Sequence, residues 1–170
     1  MLHSKSRLYT DYAKEKLIDP NDLEERVKEI KSEGKTIVTL NGSFDLLHAG
    51  HLQIIYEASL QGDFLLVLLN TDASIQQYKS PDRPIIPLEY RLQMMSALGF
   101  VDGVSYFDET DPIAVLEKVK PNIHANGAEY GSECIEADVV KRNGGKLHIV
   151  SLVPGLSTSR VVQKIVETCA

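Results

Sequence analysis

Apolar residues cluster in five short runs along the chain, and the segments between these runs have the spacing of amphipathic helices. An apolar run of four to eight residues bounded by turn residues favours a buried strand. The run DFLLVLLNTD is almost continuously apolar, which is typical of a strand covered on both faces. The five predicted strands are KTIVTLNG (35–42), DFLLVLLNTD (63–72), DGVSYF (102–107), NIHAN (122–126) and KLHIVSLV (146–153).

Helices are predicted between these strands. In the segment 19–35, Pro20 suits a helix start, acidic residues crowd the first turn, and lysines and Gly34 close the helix. A polar loop, QQYKSPDRPIIP, follows the second strand. The first 19 residues could form a short helix or a loose arm. Further helices are predicted over HLQIIYEASLQGD (51–63), Leu88–Leu98, DPIAVLEKVKP (111–121), ECIEADVVKRNGG (133–145) and from GLSTS to the C-terminus.

Strands that alternate with helices indicate an α/β protein with a doubly wound, five-stranded parallel sheet. We expect one such domain over residues 35–170, preceded by an N-terminal helical extension over residues 1–34. Ligands of these sheets bind at the carboxyl ends of the strands, near the point where the strand order reverses.

Composition limits the function classes. The chain has 170 residues, of which 43% are hydrophobic and 25% charged, as expected of a globular domain that is not embedded in a membrane. Its two cysteines form no motif and no secretory signal is apparent, so we expect a cytoplasmic protein. A net charge of −6 argues against nucleic acid as a partner but allows a small anionic ligand.

The segment NGSFDLLHAGH (41–51) carries the most chemistry. It follows the first strand and opens the next helix, so His48 would lie at the helix cap and His51 one turn in, with both rings on one side. Two imidazoles beside the free amides of a helix start suit a phosphate. Gly42 and Gly50 would let a flat ligand approach the backbone.

Two other interpretations of this segment remain open. A zinc site would need more ligands than the two histidines and Asp45, and no cysteine or further histidine has a suitable spacing. An ordinary polar turn is the other possibility. The P-loop motif and the dinucleotide-binding glycine motif are both absent from the sequence.

GSFDLLHAGH resembles the HxGH signature of the nucleotidyltransferase superfamily, which includes the cytidylyltransferases and phosphopantetheine adenylyltransferase. NTDASIQQYKSPDRPIIPLEYR is similar to a segment of the D-glycero-β-D-manno-heptose 1-phosphate adenylyltransferases, and GLSTSRVV is similar to the closing ST-rich motif of that family. The resemblance runs from about Lys35 to about Val166. It implies a Rossmann-like nucleotidyltransferase fold and the transfer of AMP from ATP to a sugar 1-phosphate, with release of pyrophosphate.

The resemblance also implies the roles of individual residues. His48, His51 and Lys79 would act on the reacting phosphates. Mg²⁺ would accompany the triphosphate, no protein side chain would be its dedicated ligand, and the protein would be a homodimer. The nucleotide-binding residues implied are Asn41, Gly42, Ser43, Phe44, Asp45, Gly50, Arg83, Arg91, Asn126, Gly127, Glu129, Ser157, Thr158 and Ser159.

Two segments depart from the heptose enzymes and their relatives. Asn126-Gly127-Ala128-Glu129 stands where the heptose enzymes have Lys-Gly-Gly-Asp, which affects the acceptor and the base. Val153-Pro154 stands where glycerol-phosphate cytidylyltransferases have an arginine and a threonine. The enzyme alternative is a cytidylyltransferase acting on a polyol or amino-alcohol phosphate. A nucleotide-binding module without catalysis is the alternative from another class.

Overall fold

The computed structural model describes residues 8–128, 131, 133–151, 155 and 157–169. Five strands and eight helices are present in this part of the chain. The strands are β1 (Ile37–Gly42), β2 (Phe64–Asn70), β3 (Gly103–Phe107), β4 (Ile123–Gly127) and β5 (Lys146–Val150). The helices are α1 (Tyr9–Lys14), α2 (Leu23–Ser32), α3 (Ala49–Ser59), α4 (Asp72–Tyr78), α5 (Leu88–Ser96), α6 (Ile113–Val119), α7 (Glu136–Arg142) and α8 (Thr158–Cys169).

All five strands form one parallel sheet in the order β3-β2-β1-β4-β5. The chain moves outward from β1 through β2 to β3, and then returns to the other side of β1 with β4. The strand order therefore reverses between β1 and β4, and the predicted doubly wound parallel sheet is confirmed. The turn after β1 lies at this reversal, where such sheets bind their ligands.

Two apolar cores cover the two faces of the sheet. One face packs against α2, α6 and α7, and its core includes Leu23, Ile30 and Leu116. The other face packs against α3 and α5, through Ile55 and Met95 among others. The fully buried pattern of β2 matches the apolar run that predicted it.

From residue 8 onward, the predicted N-terminal extension is packed against the rest of the domain. Helix α2 buries Leu23, Val27 and Ile30 in the core. Upstream of α2, the N–H of Ile18 donates to the carbonyl of Val104, and the N–H of Val104 donates to the carbonyl of Lys16, both at 2.8 Å. These bonds occupy the exposed edge of β3, which would otherwise be free to pair with another chain. The boundary at residue 34 stays a prediction.

Several element boundaries differ from the sequence expectation. The helix expected over 19–35 covers only Leu23–Ser32. Part of the expected loop after β2 is instead helix α4, which begins after Thr71, whose hydroxyl accepts from the N–H of Ser74 at 3.2 Å. The loop itself comprises residues 79–87, and we call it the 79–87 loop. None of the helices formed by the described residues has both the length and the apolar character that crossing a membrane requires.

Candidate active site

Residues 41–51, which we call the histidine turn, connect the carboxyl end of β1 to the start of α3. His48 is the residue that caps this helix, with φ −141° and ψ 168°. Its Nδ1 accepts a hydrogen bond from the N–H of His51 at 3.4 Å. Since Nδ1 acts as an acceptor, the proton of the neutral ring belongs on Nε2. The predicted cap position of His48 is thus present in the structure.

The rings of His48 and His51 stack, with centroids 3.8 Å apart and planes inclined by 19°. Burial lowers the pKa of His48 below its usual value. Burial also lowers the pKa of His51 to about 4, and the charges of His48 and Lys79 act in the same direction. Both imidazoles are therefore neutral at pH 7 when no anion is bound. Two stacked neutral rings can each offer one N–H donor to a ligand.

Three polar atoms of the histidine turn are buried without a hydrogen-bond partner in the protein. They are Oδ1 of Asn41, Nε2 of His48 and Nδ1 of His51. Buried polar atoms in native proteins are nearly always paired, so a cluster of unpaired ones marks a position for a ligand or for water. The two imidazole nitrogens can carry protons, and together with the amides that a helix start leaves unpaired they suit a phosphate. Oδ1 of Asn41 is an acceptor and suits a donor group of a ligand or water.

Gly42 and Phe44 support the histidines from the strand side. Phe44 has a positive φ of 45°, and its ring contacts that of His51 edge-on at a centroid distance of 5.5 Å. A Cβ on Gly42 would lie 3.1 Å from Cε2 of Phe44. Gly42 therefore leaves room for the Phe44 ring. Gly50 is buried in the first turn of α3.

Lys79 reaches the histidine turn from the end of α4. Its Nζ donates to Oγ of Ser43 at 2.8 Å. Burial lowers the pKa of Lys79, helped by the nearby charges of Arg83 and Arg91 and opposed by Asp45. A cation close to two neutral histidines raises the local positive potential, which favours an anionic ligand.

Asp45 faces the 79–87 loop. Its Oδ1 accepts from the N–H groups of Ile85 and Ile86, both at 2.8 Å, and its Oδ2 accepts from Nε of Arg83 at 2.7 Å. Residues 83–86 are thus fastened to the histidine turn by this carboxylate.

Arg91 is fully buried, and its guanidinium joins three segments. It donates to the carbonyl of Ile86 at 2.9 Å, to the carbonyl of Ser43 at 2.6 Å and to Oδ1 of Asp72 at 2.7 Å. These bonds hold the histidine turn, the 79–87 loop and the start of α4 together. Sequence reasoning had not identified Asp72. The sequence feature that could have identified it is the pair Thr71-Asp72 directly after a strand, which is typical of a helix start.

The remaining predicted residues lie at the ends of other elements. Asn126 and Gly127 end β4. Nδ2 of Asn126 donates to Oε2 of Glu136 at 3.4 Å, and Oδ1 of Asn126 accepts from the N–H of Gly127 at 3.1 Å. The Asn126 side chain is therefore engaged within the protein and holds the start of α7. Glu129 lies outside the described residues, as do Val153 and Pro154.

The ST-rich motif opens α8. Oγ of Ser157 accepts from the N–H of Arg160 at 3.3 Å, which caps the helix start. All described residues of α8 remain at least partly exposed. A pyrophosphate-binding role for Ser157, Thr158 and Ser159 stays a prediction. In the described part of the chain, no group of three or more histidine, cysteine or acidic side chains could hold a metal ion.

A family model described as cytidylyltransferase-like matches residues 39–163, which include β1, the histidine turn and the start of α8. The chain belongs to this family. The predicted superfamily is confirmed, and residues 39–163 form a nucleotidyltransferase domain.

Curated relatives agree with this membership. The chain is 39% identical over 140 residues to the bifunctional protein HldE of Azotobacter vinelandii, a match that covers 82% of this chain and 30% of the relative. It is 43% identical over 135 residues to the bifunctional protein HldE of Azorhizobium caulinodans, covering 79% of this chain and 28% of the relative. The match thus spans less than a third of the length of these relatives.

Solved structures share the fold. The lipopolysaccharide core biosynthesis protein from Thermoplasma volcanium has a TM-score of 0.57 and 29% identity, and the match covers 71% of this chain and 98% of that protein. The pantoate-β-alanine ligase from Francisella tularensis, complexed with β,γ ATP and β-alanine, has a TM-score of 0.59 and 16% identity. That match covers 90% of this chain and 78% of the ligase, and it shows a common fold alone.

Proposed function

We propose that the protein transfers AMP from ATP to a sugar 1-phosphate, most favourably a heptose 1-phosphate, and releases pyrophosphate. The observation that carries this proposal is the pair of unpartnered buried imidazole nitrogens, Nε2 of His48 and Nδ1 of His51, at the start of α3. A triphosphate suits this position, because its oxygens accept hydrogen bonds from imidazole N–H groups and backbone amides alike.

The reaction requires positioning and charge stabilisation more than a protein nucleophile. An oxygen of the sugar phosphate would attack the α-phosphorus in line, and pyrophosphate would leave as the bond to the β-phosphate breaks. Nε2–H of His48 and an N–H of His51 would donate to phosphate oxygens as negative charge develops. Lys79 would neutralise the leaving pyrophosphate after exchanging its bond to Ser43 for one to a phosphate oxygen.

Mg²⁺ suits this site as an ion delivered by the nucleotide. Magnesium bound to ATP is coordinated mainly by phosphate oxygens and water, with few protein ligands. Asp45, the carboxylate of the histidine turn, is already bonded to the 79–87 loop. When bound, the ion would neutralise part of the triphosphate charge. The protein's own contribution would be the donors of the histidine turn and Lys79.

Three observations support ATP and a heptose phosphate over CTP and a polyol phosphate. The segment YKSPDRPIIPLEYR resembles that of heptose 1-phosphate adenylyltransferases. Val153-Pro154 lacks the arginine of glycerol-phosphate cytidylyltransferases. A structural neighbour at 29% identity is a lipopolysaccharide core biosynthesis protein.

A pyrophosphate-release screen tests the proposal. ATP and CTP would each be combined with Mg²⁺ and with heptose 1-phosphate, hexose 1-phosphates, glycerol 3-phosphate and phosphocholine. We expect the highest kcat/KM for ATP with heptose 1-phosphate. A clear preference for CTP and a polyol or amino-alcohol phosphate would overturn the choice of base and acceptor. ATP binding without turnover on any acceptor would favour a non-catalytic binding module.

We further propose that the protein acts as a homodimer. Helix α3 exposes an apolar stripe of Leu52, Tyr56 and Leu60, and the Tyr56 ring contacts Phe100 edge-on at 5.6 Å. Exposed apolar residues at this helical spacing favour an interface. Sedimentation analysis of the wild-type protein should give twice the mass of one chain. The Tyr56→Glu variant should sediment with the mass of a single chain. A monomeric wild-type protein would contradict the proposal.

A further inference from the structure

Asp45 is a buried carboxylate whose partners all come from one distant segment. Its side chain is 1% exposed. Besides the bonds to the amides of Ile85 and Ile86 and to Nε of Arg83, its Oδ2 lies 2.5 Å from Nη2 of Arg83. These partners lie between 38 and 41 residues further along the chain. The carboxylate therefore fastens the middle of the 79–87 loop to the histidine turn.

The bonds of Asp45 leave little capacity for another ligand. An ionised carboxylate has about four acceptor positions on its two oxygens. The loop fills three of them with hydrogen bonds, and Nη2 of Arg83 adds an ionic contact without a hydrogen bond. Burial alone would raise the pKa of Asp45, but the N–H groups of Ile86 and Ile85 and the Arg83 guanidinium hold it below its usual value. The loop therefore stabilises the ionised carboxylate of Asp45, and Arg83 already compensates the negative charge of that carboxylate.

The fastened segment lies close to Lys79 in the chain. Residues 83–86 come only a few residues after Lys79, which directly follows α4 and donates to Ser43. Ser43 is itself two residues before Asp45, and Arg91 holds both the Ser43 carbonyl and the Ile86 carbonyl. Release of Asp45 from the loop would therefore loosen the segment that directs Lys79 toward the histidines.

We propose that Asp45 is a positioning residue, whose carboxylate holds the 79–87 loop so that the Lys79 ammonium stays beside His48 and His51, and that it binds neither the nucleotide nor its magnesium. This inference rests on the proposed function for the role of Lys79. It differs from the sequence expectation, in which Asp45 contacts the nucleotide.

Asp45→Asn tests the contact with little change of shape. The amide oxygen can still accept from the two backbone N–H groups, but the amide nitrogen would face the Arg83 guanidinium without an acceptor. We expect roughly tenfold faster hydrogen exchange of the Ile85 and Ile86 amides. We also expect kcat/KM to fall roughly 10- to 100-fold, the scale of one lost charged hydrogen bond. Asp63→Asn is a control, because Asp63 accepts from the N–H of Thr36 at the opposite end of the sheet.

A double-mutant cycle with Lys79→Ala separates positioning from direct binding. If Asp45 acts through Lys79, Asp45→Asn should lower kcat/KM less than about threefold once Lys79 is absent. The Mg²⁺ concentration for half-maximal rate should be the same in Asp45→Asn and wild type. Arg83→Gln opens the same contact from the loop side, so it should reproduce the faster exchange even if Asp45→Asn folds poorly.

Three results would overturn the inference. A further loss of tenfold or more in the Lys79→Ala background, or a raised Mg²⁺ requirement, would make Asp45 a direct ligand. Unchanged exchange at Ile85 and Ile86 in both loop variants would mean that the contact does not hold the loop. If the wild-type protein transfers no nucleotide to any acceptor, the proposed function fails. The same double-mutant cycle, with the Kd for ATP·Mg²⁺ measured in place of kcat/KM, then still decides the role of Asp45.

Discussion

At the residue scale, the proposed function brings a strongly anionic ligand to donors of the histidine turn that are uncharged in the free protein. Desolvation keeps the imidazole of His51 neutral, and the neighbouring Lys79 makes protonation still less favourable. A triphosphate would reverse this balance, because negative charge close to an imidazole favours its protonated form. Nucleotide binding should therefore be coupled to proton uptake at these two rings.

NMR titration of the histidine ring signals tests that coupling. In the free protein, His51 should titrate with a pKa of about 4. With a non-hydrolysable ATP analogue and Mg²⁺ bound, its pKa should rise by roughly one unit or more. His148, partly exposed on β5, serves as the internal reference. An unchanged His51 titration would show that the phosphates bind elsewhere.

Gly42 is a residue whose substitution should act through Phe44. In Gly42→Ala, the new Cβ would press on the Phe44 ring, which contacts His51. We expect kcat to fall roughly tenfold, because small displacements of catalytic groups are costly. Gly99→Ala is the matched control, since no atom lies within 4 Å of a Cβ at that position. Equal activity of both variants would show that the Phe44 contact does not position His51.

At the element scale, the 79–87 loop brings a cation to the histidine turn. Lys79→Ala should reduce kcat/KM by roughly 2–4 kcal/mol in transition-state terms, the scale of one donor lost at a charged reaction centre. Lys79→Arg should recover only part of this loss, because a planar guanidinium does not replace a compact ammonium. Steady-state kinetics of the three proteins provide the measurement. Wild-type kinetics in Lys79→Ala would exclude Lys79 from the reaction.

Local signals in the sequence predicted the elements that carry the site, but not the contacts between them. The cap position of His48 follows from a polar turn between an apolar run and a helical pattern, and the structure has it. Helix α4 was missed because its short polar sequence resembles a loop. The bonds of Asp45 and Arg91 reach across 38 and 48 residues, and no local pattern encodes such pairings.

At the scale of the whole molecule, the parallel sheet buries a histidine away from the site. His124 lies on β4, and its Nδ1 is 2.9 Å from the hydroxyl of Thr39 on the neighbouring strand β1. Burial lowers the pKa of His124 to about 4, whereas an unfolded chain would titrate near 6.5. Between about pH 4 and pH 6.5, the unfolded state binds more protons at this histidine than the folded state does. The free energy of unfolding therefore decreases as the pH falls through this range.

Chemical denaturation between pH 7 and pH 4 tests the role of this buried ring. The wild-type protein should lose up to about 3 kcal/mol from His124, the scale of a shift of two to three pKa units. His124→Gln, which can still bond to Thr39, should show a shallower pH dependence of the free energy of unfolding than the wild type. Parallel pH dependences for wild type and His124→Gln would contradict a neutral buried His124.

The reaction product tests the central claim most directly. The protein would be incubated with ATP, Mg²⁺ and heptose 1-phosphate, and the products followed by ³¹P NMR and mass spectrometry. We predict equal amounts of pyrophosphate and of a sugar joined to adenosine through a diphosphate, with formation slowed roughly 100-fold or more in His48→Ala. ADP with a newly phosphorylated sugar, or undiminished product formation by His48→Ala, would contradict nucleotidyl transfer at the histidine turn.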